Sequence, residues 1–328
     1  RQALSNYYKR NDIAVEPDDI IVTTAGSEAI VFAFSAVCNY GDEIIIPEPF
    51  YTNYNGFATL AGVTIKPLTT HVENDFALPS DAEIEALITD RTKAIMICNP
   101  GNPTGAVYPR ADIERLAAIA RKHNLFIMSD EVYREYVYDG NTHTSIMHIP
   151  DFSENAIMVD SISKRYSACG ARIGCIVSRN KELMTAVLKF GQARLCPPTL
   201  EQLAATAATS LEDEYFVPMI AEYDSRRIVV HNALKQMDGV VCGKPQGAFY
   251  IIAGLPITDA EDFAIWLLKE FRHNGKTVMI APAGGFYATP GLGANEIRIA
   301  YVLNAEKLTE AMEIFEIGLK KYIEMKAE

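Results

Sequence analysis

Between residues 20 and 178, short apolar runs alternate with amphipathic segments of helix length, and this alternation restricts the fold more than any other feature. The runs at 20–26 (IIVTTAG), 42–51, 63–69, 92–100, 125–133, 156–164 and 172–178 read as strands. Residues 27–38 read as the helix after the first strand. Residues 109–123 (PRADIERLAAIARKH) place apolar side chains at helical spacing and end in basic residues, which suit the negative end of a helix dipole. Strands separated by helices of this length need crossover connections, and crossovers put helices on both faces of a largely parallel sheet. The expected fold class is therefore α/β, with a mostly parallel seven-stranded-type sheet covered on both sides.

After about residue 179 the pattern turns helical, at 183–195, 200–211 and 214–237. Then come AFYIIAG, a helix at 259–273, TVMIAPA, EIRIAYV and a helix at 305–324. This second part reads as a smaller α+β domain. The expected division is 1–222 for the large domain and 223–328 for the small one. The first ten residues, RQALSNYYKR, read as a helix with nothing before it to cap it, so a preceding segment is expected to be missing.

The net charge of −12 over 328 residues repels phosphate backbones and argues against nucleic-acid or anionic-membrane partners. No apolar run approaches the roughly 20 residues of a membrane helix, and the start lacks the apolar centre of a signal peptide. Six cysteines show no C-x-x-C spacing and read as reduced, buried thiols of a cytoplasmic protein. His143 and His148 read as part of a polar loop, since no further ligand completes a metal set.

In an open α/β sheet, ligands bind at the carboxyl ends of the strands. The strand ends here are unusually polar. Gly26-Ser27-Glu28 opens a helix whose free N–H groups and dipole favour a phosphate, although a plain strand-to-helix turn accounts for it too. It is neither a Walker loop nor a dinucleotide-binding glycine pattern. The run at 42–51 exits into Glu48-Pro49-Phe50-Tyr51. Residues 99–105, NPGNPTG, form a stiff turn that can aim the Asn102 amide. Asp130 follows the apolar LFIM and needs a cation or several donors; a protonated heterocyclic nitrogen would serve, as would a loop cap. Lys164 ends another strand after Ser161-Ile162-Ser163, where partial withdrawal from water lets a lysine form a Schiff base. Arg172 can bring a fixed charge to a phosphate. Arg298 lies between Ile297 and Ile299, so it points to the opposite face of its strand, where it can grip a carboxylate with two hydrogen bonds.

Together, AGSEA, PEPFYTNY, NPGNPTG, SDEVY, SISKRYSACGARIG and EIRIAYV resemble one family, in its order and spacing and over nearly the whole chain. It is the fold-type I pyridoxal phosphate enzymes, and within them the class I aminotransferases of the aspartate aminotransferase type. The resemblance implies that Lys164 holds pyridoxal phosphate as a Schiff base and moves the substrate proton. It implies that Asp130 partners the pyridine N–H, which makes the ring an electron sink. Tyr133 and Asn102 would donate to the ring oxygen, and Tyr51 would stack on the ring. Ser161, Arg172 and the Gly26-Ser27-Glu28 turn would hold the phosphate. Arg298, assisted by Asn102, would bind the substrate carboxylate. The family also implies amino acid and 2-oxo acid substrates and a homodimer.

Two departures stand out. The family carries several tens of residues before the helix at which this chain starts. Some dicarboxylate-specific relatives place Lys where this chain has Ser27, and only Arg194 and Arg165 are candidates for a distal carboxylate. The expected activity is transfer of the amino group of aspartate to 2-oxoglutarate, with aromatic amino acids or alanine as other donors. A β-lyase of sulfur amino acids or a cyclopropane-forming synthase would keep the same residues. A regulatory ligand sensor joined to a DNA-binding domain is the alternative outside enzymes, and the acidic charge stands against it.

Overall fold

Within the apolar runs, alternate side chains separate onto two faces, which is what a strand covered on both sides requires. The computed structural model describes residues 1–327. Its strands are β1 (Ile20–Thr24), β2 (Glu43–Glu48), β3 (Thr64–Thr69), β4 (Thr92–Cys98), β5 (Phe126–Asp130), β6 (Ala156–Ser161) and β7 (Ile173–Val177). They form one sheet in the order β1-β7-β6-β5-β4-β2-β3. The pairs from β3 through β6 are parallel, whereas β7 runs antiparallel to both β1 and β6. Ile45, Ile95, Ile97, Ile127 and Met158 enter one apolar core. Their neighbours Ile44, Ile46, Met96, Met128 and Ile157 enter the other.

The helices are α1 (Gln2–Arg10), α2 (Ala25–Val37), α3 (Asn53–Ala61), α4 (Asp81–Ala86), α5 (Arg110–Lys122), α6 (Ile162–Arg165), α7 (Lys181–Arg194), α8 (Thr199–Ala208), α9 (Phe216–Lys235), α10 (Ala260–Lys269) and α11 (Ala305–Ala327). Side chains of α1 and α5 complete the first core. Those of α2, α3 and α7 complete the second.

A three-stranded antiparallel sheet, β8 (Tyr250–Gly254), β10 (Glu296–Ala300) and β9 (Ala281–Pro282), packs with α9, α10 and α11 around a further core. The strand expected over 277–283 shrinks to β9, where Ala281 and Pro282 alone pair with Arg298 and Ile297. Residue 222 lies inside the continuous helix α9. Tyr133, Tyr136 and Tyr138, from the loop after β5, are members of the core around the smaller sheet.

One expectation is corrected: of the six free cysteines, Cys175 and Cys242 are buried, but Cys169, which opens the short 3-10 helix Cys169–Ala171, and Cys196, between α7 and α8, are exposed. His143 lies in a polar loop as expected, beside exposed Asn141 and Thr142, but its own ring is buried 3.6 Å from Glu131, and burial pushes its pKa well down.

Beneath α6 lies a buried ionic cluster. The Arg165 side chain is fully buried, and its Nη2 donates to both Asp160 oxygens at 3.1 and 2.8 Å while Nε donates to Glu135 at 2.6 Å. Its guanidinium lies 4.2 Å from the Tyr7 ring centroid. The Tyr8 hydroxyl donates to Asp160 at 2.8 Å, and that of Tyr7 donates to Glu135. Tyr8 of α1 is thereby tied to β6, the strand that leads to Lys164, and Tyr7 to the loop after β5. Replacing Arg165 with Met strands two buried carboxylates. The expected loss is about 3–5 kcal/mol of stability, read as a lower urea midpoint at unchanged slope.

Candidate active site

The parallel strands place their carboxyl ends along one edge of the large sheet. Because β7 runs the other way, it starts at that edge, and this is what brings Arg172 there. A cavity of about 280 Å³ opens at the edge. It is lined by Gly26, Ser27, Tyr51, Asn102, Asp130, Tyr133, Ser161, Lys164, Arg172 and Arg298.

Glu28 alone of the expected set does not line it. Its carboxylate turns back to accept the Thr24 N–H at 2.7 Å and Arg194 Nε at 3.0 Å. A carboxylate in the first turn of a helix is drawn to the free N–H groups and positive dipole end there, which turns the Glu28 side chain away from the site.

One end of the cavity suits an anion. Helix α2 begins directly at the end of β1, with Ala25 at φ 60°. The Ala25 N–H donates to the Arg172 carbonyl at 3.0 Å. This close approach demands glycine at 174: a Cβ there would lie 2.5 Å from the Ala25 carbonyl carbon and 2.7 Å from Gly26 N. Arg172 is exposed, and its Nη1 donates to the Cys169 carbonyl at 2.9 Å. The Ser161 hydroxyl donates to the Ile173 carbonyl at 2.9 Å and lies 2.8 Å from that of Ser163, which also lines the cavity.

The other end suits a protonated nitrogen. Asp130 ends β5 and is buried. It accepts the Tyr54 hydroxyl at 2.8 Å and, weakly, the Val132 N–H at 3.4 Å. No cationic side chain hydrogen-bonds to it among the described residues. Burial accordingly pushes its carboxyl up to about 6, against the pull of the Tyr54 hydrogen bond. Between the two ends, Lys164 Nζ lies 5.9 Å from the Tyr133 ring centroid. Burial raises the Tyr133 phenol well above its ordinary value, so the phenol keeps its proton and can donate.

Arg298 reaches the cavity from β10. Its Nη1 donates to Asn102 Oδ1 at 3.1 Å. Its guanidinium carbon lies 4.7 Å from the Tyr250 ring centroid and 4.8 Å from that of Phe286. Its Nε is buried and has no partner among the described residues. Neither candidate for a distal carboxylate lines the cavity: Arg194 is held by Glu28 and the Val22 carbonyl, and Arg165 by Asp160 and Glu135.

Sequence reasoning missed Tyr250 and gave Tyr54 no role. Tyr250 is hydroxyl-to-hydroxyl with Tyr133 at 2.9 Å. Tyr54 lies three residues after Tyr51, so helical spacing was the available signal. Nothing local marks Tyr250, whose partner is 117 residues away.

A cofactor that carries a phosphate at one end and a pyridine nitrogen at the other fits these residues. A buried carboxylate without a cation faces one end, and a helix start with Arg172 faces the other. Lys164 stands between them.

The sequence pattern of the family Aminotransferase class I and II matches residues 1–315. The chain is similar to an aspartate aminotransferase of Pyrococcus abyssi, with 33% identity over 98% of this chain and 82% of that one. It is also similar to aromatic-amino-acid aminotransferase 2 of Thermococcus litoralis, with 33% identity over 98% of this chain and 82% of that one. Among solved structures, aspartate aminotransferase of Thermotoga maritima superposes with a TM-score of 0.87 at 33% identity, over 97% of this chain and 80% of that one. The cavity and the likenesses agree, and the chain belongs to the class I and II aminotransferases, which depend on pyridoxal phosphate.

Proposed function

We propose that this aminotransferase moves the amino group of L-aspartate to 2-oxoglutarate, as a cytoplasmic homodimer. The observation that carries amino-group transfer is Arg298, which suits the carboxylate every amino acid donor shares; the choice of aspartate is supported by relatives alone. Its guanidinium enters the cavity that Lys164 enters, with one nitrogen engaged by Asn102 and a buried Nε awaiting a partner.

Pyridoxal phosphate supplies an electron-withdrawing ring and a carbon that receives the amino group. The chain does the rest. Residues 1–222 hold the cofactor, and 223–328 bring Arg298. Lys164 would anchor the cofactor between turnovers and carry the proton to and from the substrate Cα. The Asp130 carboxylate would hold a proton on the ring nitrogen, Tyr133 and Asn102 would donate to the ring oxygen, and Tyr51 would cover the ring. Arg172, Ser161 and the N–H groups of the Gly26-Ser27-Glu28 turn bind the phosphate. Arg298 and Asn102 orient the substrate carboxylate.

Three relatives named aspartate aminotransferases, from Pyrococcus abyssi, Thermotoga maritima and Pyrococcus horikoshii, support the choice of donor. Exposed Leu195, Leu200 and Leu203, along the end of α7 and the start of α8, support a second subunit. The free cysteines, two of them exposed, suit a reducing compartment. No helix among the described residues is long and apolar enough to cross a membrane.

Visible absorbance of the loaded protein tests the donor. Aspartate without an oxo acid is expected to bleach the bound cofactor, and 2-oxoglutarate to restore the colour. With a sulfur amino acid such as cystathionine in place of aspartate, release of pyruvate, ammonia and the departing thiol would instead establish a β-lyase. A second reading, aromatic donors, is favoured by the Tyr51, Tyr133 and Tyr250 walls, and faster bleaching by tyrosine than by aspartate would select it.

A further inference from the structure

Glu48 is a fully buried carboxylate at the end of β2, and it does not line the cavity. Its Oε1 accepts the Thr69 hydroxyl at 2.8 Å. Its Oε2 accepts two successive backbone N–H groups, of Ala288 at 2.8 Å and Thr289 at 3.0 Å. No lysine or arginine pairs with it among the described residues. Those two amides belong to the segment between β9 and β10, on the smaller sheet. The same segment is gripped a second time, where the Phe50 N–H donates to the Phe286 carbonyl at 2.8 Å.

A buried carboxylate is costly unless donors surround it, and consecutive backbone amides converging on one oxygen are a strong way to meet that need. This staple anchors Ala288 and Thr289, two and three residues after Phe286, whose ring centroid lies 4.8 Å from the guanidinium carbon of Arg298.

We propose that Glu48 is a positioning residue for the substrate-carboxylate site: its carboxylate staples the 284–289 segment to the large sheet and so keeps the Phe286 ring against Arg298. The proposal rests on the reading of Arg298 as the carboxylate's partner. Glu48 acts on substrate binding through this segment, and it does not touch the cofactor.

Glu48→Gln removes the charge at almost constant volume. The test uses the holoenzyme, with L-aspartate and L-tyrosine as parallel donors in the bleaching half-reaction. Three readouts are taken: the half-saturating donor concentration against the limiting rate, the cofactor dissociation constant, and backbone hydrogen exchange over 284–292. The expected result is a rise in half-saturation of about tenfold, equivalent to about 1.4 kcal/mol. Limiting rate and cofactor affinity should change less than about twofold, and exchange over 284–292 should quicken. Unchanged half-saturation despite faster exchange would overturn the proposal, and so would an equal loss of cofactor affinity.

If Glu48→Gln does not fold, Phe286→Leu decides. It leaves the Glu48 hydrogen bonds intact and should raise half-saturation similarly without quickening exchange; no rise would sink the idea. Arg298→Leu separates the two readings. If it leaves half-saturation unchanged, the role of Arg298 fails. If it raises half-saturation while the Glu48 and Phe286 variants do not, the staple alone fails.

Discussion

Replacing Lys164 with alanine is expected to lower turnover by about 10⁴-fold, the upper end of what a positioned proton carrier contributes, and to end covalent attachment of the cofactor. Borohydride reduction followed by mass measurement should find the cofactor joined to the parent chain and free of the variant. The fold should survive. The Lys164 backbone carbonyl accepts the Tyr136 hydroxyl at 2.7 Å, and α6 is capped by Ser161, and neither contact uses the Lys164 side chain. The cofactor should still bind without a covalent bond, through Arg172, the start of α2 and Asp130. A variant that keeps a tenth or more of parental turnover would show that another group moves the proton, and the assignment of Lys164 would fall.

Asp130→Asn is expected to cost about 10²–10⁴-fold in turnover, since an amide cannot hold a proton on the ring nitrogen. The same residue sets two opposite pH trends. Burial raises its carboxyl from the usual 3.8 to about 6. In that window the native chain without cofactor keeps a proton that the unfolded chain has lost. Stability therefore falls as pH rises from about 4 to about 6, by roughly 3 kcal/mol at most. Cofactor binding runs the other way. A protonated ring nitrogen prefers the ionised carboxylate, so affinity should rise as pH climbs through about 6. Urea unfolding of the cofactor-free protein and cofactor titration, each on both sides of pH 6, measure the two trends. Asp130→Asn should flatten both. If the variant keeps the parental pH profiles, the buried group that titrates is not Asp130.

Much of this protein follows from its sequence alone. Short uninterrupted apolar runs such as those of β4 and β5 read as strands buried on both faces, and the helices between them impose a largely parallel sheet. Glycine, proline and polar residues then cluster where each run stops, so the ends of the strands, and with them Asn102, Asp130 and Lys164, could be read as one edge. These signals are local: each is carried by a dozen residues or fewer.

The tertiary structure decided what depends on direction and distance. Arg172 joins the site only because β7 is antiparallel to its neighbours. Asp130 and Glu131 are adjacent in sequence, yet Asp130 lines the cavity while Glu131 turns to Arg134 and Ser145. Arg194 and Arg165 look like free cations in sequence, but partners brought in by the fold claim both. Tyr250 and the Glu48 staple join residues 117 and 240 positions apart. A hydrogen bond acts over about 3 Å, so pairings this remote along the chain leave no periodic trace in it and exist only once the two sheets have packed together.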